Sequence, residues 1–409
     1  MCSASLASAA PSSFFQDVDE GSSQPVEEQV PHSIRRRAVA VNIEALKQAI
    51  QRPPADGLPL DLFNDKSLKI KVEGIQKISD TNVVMVGHIE GQENSDVSLV
   101  INDNVLVAEI RPDEGTHYKI EYQGEDIHAI YETDSEDENC DAVQAPVVEN
   151  DQPMIGEDDG GGENHATATS TIDMLVAYTP RARSKVGGTS AMKAKIQLGI
   201  ADTNKAFQNS GVNLQVRLVG TKEMTQNDTN NFSSDLSSLR GKSDGRWDSV
   251  HAERTRVGAD QVTLIGVYSG NGTAGIGYIK AGYSSAFTVV KYSSFGSYSF
   301  THELGHNVGL NHSDGYVNSG GRFRTVMAYG SYPRIRRFSN PSITYNSYRT
   351  GDSNQNSASI LNSYGGGLAK LVAVRVPYSA ADGTFAAPDP SAPVTCAGAE
   401  EAEPPTESE

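Results

Sequence analysis

The residues of this chain that could do chemistry are concentrated in one short segment, 302–312. Within it, His302 and His306 are four residues apart, and Glu303 follows the first of them. Side chains four residues apart on a helix project from the same face, so both imidazoles can reach one metal ion. Gly309 allows the chain to turn out of that helix, which would deliver His312 as a third ligand. Three protein ligands leave a coordination position for water, which is typical of a catalytic zinc site.

Glu303 has the position and the chemistry of a general base. It directly follows the first histidine and is predicted to point to the open side of the metal. A carboxylate there can take a proton from the attacking water and pass it to the leaving amine. The pattern therefore predicts hydrolysis assisted by Zn²⁺. The alternative is a set of surface histidines or a degenerate site, for which an intact base at Glu303 would have no use.

A helix must carry this segment, and the residues around it predict a module that spans residues 170–378. Residues 172–178 are a nearly continuous apolar run, typical of a buried strand. Residues 192–207 place apolar side chains on one face of a long helix. Further strands are predicted at 214–218, 262–268, 275–279 and 287–292, and one helix is predicted at 236–257. Strands that alternate with helices indicate the α/β class.

The remaining segments differ from this module in composition. Residues 1–32 and 379–409 are rich in small and acidic residues and proline, and are predicted to be disordered. Residues 33–132 combine a helix capped by Asn42 with alternating strands, which indicates a small, mostly antiparallel, β-rich domain. Residues 133–169 form an acidic linker that is predicted to stay unfolded and accessible to proteolysis.

Charge divides the chain in the same way. The net charge is −18, which argues against nucleic acid as a partner. Residues 170–378 nevertheless hold 23 Lys and Arg against 12 Asp and Glu, so a basic module is flanked by acidic segments. No run of 18 apolar residues predicts a membrane span. The first 16 residues lack the basic and apolar regions of a signal peptide.

The three cysteines, Cys2, Cys140 and Cys396, all lie outside the basic module. This number excludes a disulfide framework. Cys140 has three interpretations, which are a free thiol, a bridge to Cys396, and a thiolate ligand that keeps the metal latent.

Residues 302–312 resemble the metzincin signature HExxHxxGxxH, and residues 325–329 (TVMAY) resemble the metzincin Met-turn. The resemblance implies that Met327 forms an apolar base beneath the metal. It also implies that Tyr329 lies beside the metal and helps to stabilise the oxyanion. The implied fold is a metzincin catalytic domain with a mixed, mostly parallel twisted sheet, an active-site helix and a Met-turn.

The whole basic module resembles the peptidyl-Asp metalloendopeptidase, or reprolysin-like, branch of the metzincins, most clearly at 172–180, 201–211, 299–309 and 333–341. The resemblance implies a secreted endopeptidase that cuts proteins or peptides before Asp. It further implies a zymogen that processes itself, with the β-rich domain as inhibitory prodomain. Two departures affect subfamily and specificity. The branch has cysteines near Ala274, Ser294 and Tyr332 where this chain has none, and Ser313 stands where Asp is expected after the third histidine.

An acidic substrate side chain needs a basic partner in the first primed pocket. Arg334, Arg336 and Arg337 follow the Met-turn closely, and Arg334 is the favoured pocket residue. The alternative is that all three arginines are solvated surface. The strand at 275–279 is predicted to be the sheet edge that pairs with an extended substrate. Two other functions stay open, namely a metzincin of different specificity and a protease-like binding or adhesion module with a silent site.

Overall fold

The computed structural model of the protein contains two large sheets and two short hairpins. Its described residues are 13–18, 30, 32–113, 115–134, 139–144, 169–269 and 272–371. The tail 379–409 and most of the predicted linker therefore lie outside the described residues. A search of the described residues finds no helix that combines the length and the hydropathy of a membrane span.

The first sheet is antiparallel, which confirms the prediction of a β-rich N-terminal region. Its strand order is β1-β2-β9-β8-β7-β6-β5-β4-β3. The strands are β1 Phe15–Asp17, β2 Ser33–Val41, β3 Leu58–Phe63, β4 Lys66–Lys77, β5 Asn82–Ile89, β6 Gln92–Asn102, β7 Val105–Arg111, β8 His117–Gly124 and β9 Ile127–Thr133. The helix α1, Ile43–Gln51, begins where the sequence predicts, because the Asn42 side chain accepts a hydrogen bond from the Ala45 amide at 3.0 Å.

Strand β1 corrects the prediction that residues 1–32 are disordered throughout. It pairs antiparallel with β2 and lies at the edge of the sheet. Phe14 and Phe15 are only 3% and 4% exposed and belong to the core of this sheet. Burial of each phenylalanine side chain contributes about 2 kcal/mol, and together with the backbone pairing to β2 it opposes the ordering cost of about 1–2 kcal/mol per residue. The polar average of the segment concealed these two side chains.

The second sheet is mixed and mostly parallel, as the sequence predicts. Its order is β10-β14-β15-β13-β11-β12, and every neighbouring pair is parallel except β14 and β15. Strands β10 and β14 therefore run opposite to the other four. The strands are β10 Asn139–Gln144, β11 Ser170–Tyr178, β12 Leu214–Glu223, β13 Gln261–Gly266, β14 Thr273–Ile279 and β15 Phe287–Lys291. The helices are α2 Pro180–Lys185, α3 Thr189–Asn209, α4 Phe232–Arg240, α5 Ser249–Val257, α6 Phe300–Val308 and α7 Ser357–Leu368.

The single helix predicted at 236–257 is wrong, since two helices, α4 and α5, occupy this stretch. The loop between them begins at Gly241 and contains Gly245, whose φ is +81°. The Asp248 carboxylate accepts a hydrogen bond from the Gly245 amide at 3.1 Å. A glycine in the left-handed region and a side-chain acceptor for the backbone both compete with a continuous helix.

Strand β10 corrects two predictions together. It lies in the segment 133–169 that composition predicts to be an unfolded linker, and it pairs parallel with β14. The strand at 275–279 is therefore not a free sheet edge, because Asp141 is in register with Ile276 and Val143 with Tyr278. Backbone hydrogen bonds of a sheet edge do not depend on side-chain type, so an acidic segment can add to it.

The N-terminal sheet packs directly on the second module. Helix α3 is buried nearly all round, including Lys195, Asp202 and Asn204, rather than on the single apolar face that the sequence predicts. Valines from β5, β6 and β7 share one hydrophobic cluster with α3 and with the core beneath α6. The Nζ of Lys195 lies 2.6 Å from Glu121 Oε1 on β8. The second face of α3 is therefore covered by the N-terminal sheet.

Candidate active site

Helix α6 carries the first two histidines and the glutamate of the predicted site. Every residue of this helix is buried, and His302, Glu303 and His306 are fully buried. The helix ends at Gly309, whose φ of +124° favours glycine, and a short helical turn then begins at His312. The chain thus brings the third histidine back to the other two, as the spacing predicts.

The three imidazoles converge through their Nε2 atoms. The Nε2 of His306 lies 3.0 Å from that of His302 and 3.1 Å from that of His312. In the two helix histidines the other ring nitrogen faces a backbone carbonyl, 2.9 Å from Val326 O for His302 and 2.7 Å from Leu310 O for His306. A ring that donates through Nδ1 presents the lone pair of Nε2 to a metal.

The charge state of these rings suits a metal as well. Burial, followed by the neighbouring His306 and Arg334, holds the pKa of His302 well below its usual value. Burial lowers the pKa of His306 to about 4. Both rings are neutral at neutral pH, and neutral imidazole is the form that coordinates metal. Three converging lone pairs repel one another without a cation between them, so this donor set fits a divalent metal.

Glu303 lies against strand β14, and two glycines make room for it. A methyl group on Gly275 would lie 2.9 Å from Glu303 Cγ, and one on Gly277 would lie 3.0 Å from Glu303 Oε2. Sequence reasoning did not single out these glycines. Their alternation on one face of a predicted strand was the available signal, because glycine inside a strand marks a close approach.

The segment after the third histidine brings two more predicted residues to the site. Met327 is fully buried, and its Sδ would lie only 2.7 Å from a methyl group on Gly305 of α6, so the thioether is packed beneath the helix. Tyr329 is 37% exposed, and its ring centroid lies 4.0 Å from that of His312. Val326, which directly precedes Met327, provides the carbonyl that orients His302.

Of the three arginines that follow Tyr329, Arg334 and Arg336 are buried and Arg337 is partly buried, so the interpretation of all three as solvated surface is wrong. Arg336 is 2.8 Å from Asp96 and 3.0 Å from Asp202, and faces the N-terminal sheet. Arg337 also faces that sheet, through a 3.2 Å hydrogen bond to Asn94. Arg334 is 9% exposed, and its Nε and Nη2 have no hydrogen-bond partner among the described residues.

Arg334 differs from the other two arginines because its charge reaches the metal site, where it contributes to the low pKa of His302. It also lines a cavity of about 60 Å³ together with Phe323 and Ile335. A buried guanidinium with two unused donors is suited to bind a carboxylate.

Comparison with known proteins agrees with this geometry. The family described as metallo-peptidase family M12B, reprolysin-like, matches residues 168–358. Curated relatives named peptidyl-Asp metalloendopeptidase come from two strains of Stenotrophomonas maltophilia. The relative from strain R551-3 is 32% identical over 301 residues, which are 67% of this chain and 69% of the relative. The relative from strain K279a is 32% identical over 292 residues, which are 64% of this chain and 67% of the relative.

Two solved structures are more distant. A chaperone–substrate complex matches with a TM-score of 0.43 and 20% identity, over 68% of this chain and 39% of that chain. Metalloproteinase-II from Bacteroides fragilis matches with a TM-score of 0.40 and 13% identity, over 66% of this chain and 83% of that one. Scores of this size do not establish a shared fold. The curated relatives and the family match do establish the relationship, and the chain belongs to the reprolysin-like peptidyl-Asp metalloendopeptidases and is a metalloendopeptidase.

Proposed function

We propose that this metalloendopeptidase holds Zn²⁺ through His302, His306 and His312 and uses Glu303 as its general base. The observation that carries the proposal is the convergence of three Nε2 atoms beside a buried glutamate. All-imidazole donors favour Zn²⁺ among the metals common in hydrolases. When bound, such an ion would polarise the scissile carbonyl and make the attacking water more acidic.

The remaining chemistry belongs to residues of the chain. Glu303, held by α6 against the glycines of β14, accepts a proton from the attacking water and passes it to the leaving amine. The Tyr329 hydroxyl stabilises the oxyanion from its position beside His312. Met327 supports the two helix histidines from below as the Met-turn residue of a metzincin.

Metal analysis tests the ligand assignment. We expect one equivalent of bound Zn²⁺ in the purified full chain and in Glu303→Ala, and less than about a tenth of that in His306→Ala at matched free metal. Competition with Co²⁺ and Mn²⁺ would rank the metals. Retention of tight stoichiometric metal by His306→Ala would contradict the site.

We also propose that Arg334 selects substrates with Asp on the primed side of the cleaved bond. Its two donors that lack a partner in the described part of the chain support this specificity, as does the name of the relatives, peptidyl-Asp metalloendopeptidase. Arg334→Ala should lower kcat/KM at least about tenfold for an Asp peptide and little for the matched Ala peptide. Arg349→Ala, on an exposed hairpin, is the control. An equal loss of kcat/KM on both peptides would contradict the role of Arg334 and would favour a metzincin of other specificity.

We propose that β10 keeps the full chain latent. It lies alongside β14, the strand that flanks Glu303, and an extended substrate would compete for the same backbone edge. Replacing residues 139–144 with Gly and Ser should raise kcat/KM at least about tenfold, whereas the same replacement at 150–155 should not. Activation by Cys140→Ser alone would instead indicate the thiol switch. No activation by either change would argue against this segment as the inhibitor.

Self-processing in the acidic linker and an extracellular location complete the proposal. The linker offers several aspartates between residues 134 and 159 to an enzyme that cuts before Asp. N-terminal sequencing of matured protein should give a start within 134–169, and cleavage should be absent in Glu303→Ala. Recovery of the matured form from the culture medium would support secretion, and a start within 33–130 would contradict processing in the linker.

A further inference from the structure

Arg324 is a fully buried cation immediately before the Met-turn, and neither the sequence patterns nor the chemistry above uses it. It ends the short hairpin strand Phe323–Arg324 and is 1% exposed. Its Nε donates to Tyr332 O at 2.9 Å and its Nη1 donates to Ala328 O at 2.9 Å. One planar guanidinium therefore joins the two ends of the five-residue loop that contains Tyr329.

The main chain of Arg324 holds the next segment of the same loop. Its amide donates to Pro333 O at 3.0 Å, and its carbonyl accepts from the Ile335 amide at 2.8 Å. These two hydrogen bonds bracket Arg334 and form a parallel bridge to it. Side chain and backbone of one residue thus fix the loop on both sides of the proposed oxyanion donor and specificity residue.

The loop needs such support. Tyr329, Gly330 and Ser331 are exposed, so apolar burial does little to order them. Gly330 has a φ of +145°. Because glycine has no side chain, it widens the range of conformations open to the unsupported loop. Displacement of a catalytic group by about 1 Å can lower a rate about a hundredfold, so an anchor for this loop bears directly on the reaction.

We propose that Arg324 is a positioning residue that holds Tyr329 beside the metal and Arg334 toward the substrate's acidic side chain. The proposal rests on the proposed roles of those two residues. Lysine cannot replace the arginine, because a single ammonium on a flexible stem does not span two carbonyls in the fixed geometry of the guanidinium fork.

Arg254 provides a matched control. It is likewise 1% exposed, and its Nε and Nη1 donate to the carbonyls of Ala259 and Tyr283. It stands on α5, whose side chains pack on the cluster of the opposite sheet face from α6. Arg254→Lys therefore measures the cost of losing a carbonyl-binding guanidinium without disturbing the loop of Tyr329.

The first measurement is kinetic, on chains with residues 139–144 replaced. Arg324→Lys should lower kcat for an Asp peptide at least about tenfold and reduce the preference for Asp over Ala, with zinc content unchanged. Arg254→Lys should lower Tm to a similar extent as Arg324→Lys, but it should change kcat by less than about twofold. On the matched Ala peptide, where Arg334 matters little, Tyr329→Phe combined with Arg324→Lys should have a kcat within about twofold of Tyr329→Phe alone, because both changes remove the function of Tyr329.

The second measurement does not depend on catalysis. In a Glu303→Ala background, hydrogen exchange of amides 325–335 should be at least about tenfold faster in Arg324→Lys and unchanged in Arg254→Lys. Arg324→Gln, which avoids a buried ammonium, serves as a second variant for folding. The proposal is overturned if hydrogen exchange in this segment is unchanged in Arg324→Lys or in Arg324→Gln. An inert parent enzyme would count against the proposed function alone, since the exchange result would still decide the role of Arg324.

Discussion

At the scale of single residues, burial determines the protonation state of the histidines. His128 shows the effect away from the metal site, since burial lowers its pKa to about 4. Its Nε2 accepts a hydrogen bond from the Leu106 amide at 3.0 Å, which requires the neutral ring. The same dependence on surroundings limits sequence-based prediction. Spacing alone predicted the cluster of three histidines, whereas nothing local distinguishes a buried neutral histidine such as His128 from a surface one.

His128 predicts a specific pH dependence of stability. The unfolded chain takes up a proton near pH 6.5 and the folded chain only near pH 4, so stability is fully present above 6.5 and is lost as pH falls from 6.5 to 4. The loss should approach about 3 kcal/mol. His128→Gln keeps the acceptor but cannot titrate. Urea unfolding in a Glu303→Ala background should therefore show a weaker pH dependence in His128→Gln, and parallel curves would contradict this explanation.

At the scale of secondary-structure elements, the site depends on the contact between α6 and β14. Helix α6 was predictable because the spacing of its histidines and the glycine that ends it are local signals. The glycines of β14 and the pairing of β10 were not, because both depend on what lies across the sheet. Likewise, the break between α4 and α5 follows from Gly245 and the aspartates around it. The prediction of a single helix over 236–257 gave more weight to the apolar pattern than to these residues.

The contact between α6 and β14 gives a steric prediction. Gly275→Ala places a methyl group within 2.9 Å of Glu303 Cγ and Oε1 and should displace the carboxylate. We expect kcat to fall at least about tenfold with bound zinc unchanged, because the base moves and the ligands do not. Gly220→Ala on β12 meets only Leu175 and Val257 side chains at 3.2 and 3.3 Å and is the control. Wild-type kcat in Gly275→Ala would contradict the placement of Glu303.

At the scale of the whole molecule, the N-terminal sheet and the metallopeptidase module share one hydrophobic cluster. Arg336 connects them, since it binds Asp96 of β6 and Asp202 of α3. Burial alone would lower the pKa of Arg336, but Asp96, Tyr298 and Asp202 raise it above its usual value. The opposite charges of the two regions were evident from sequence. The contact between Arg336 and Asp96 was not evident, because the two residues are 240 positions apart and each has other charged residues near it in the sequence.

Removal of one partner from this buried cluster should be costly. Asp96→Asn leaves Arg336 with Asp202 and should lower the free energy of unfolding by about 3 kcal/mol. Asp80→Asn, whose exposed carboxylate pairs with Lys77 on the same sheet, should change it by less than about 0.5 kcal/mol. Chemical denaturation of the full chain in a Glu303→Ala background compares the two. Equal stabilities would mean that the cluster does not hold the regions together.

The most direct test of the central claim is cleavage of a peptide library by the full chain with residues 139–144 replaced. The reaction is run with Zn²⁺, with a chelator, and with Zn²⁺ restored, beside the same chain carrying Glu303→Ala. We expect cleavage before Asp that the chelator abolishes and Zn²⁺ restores, and a loss of at least about a thousandfold in Glu303→Ala with one zinc still bound. Stoichiometric zinc without any cleavage, or cleavage that survives Glu303→Ala, would contradict the assignment of these residues as the catalytic site.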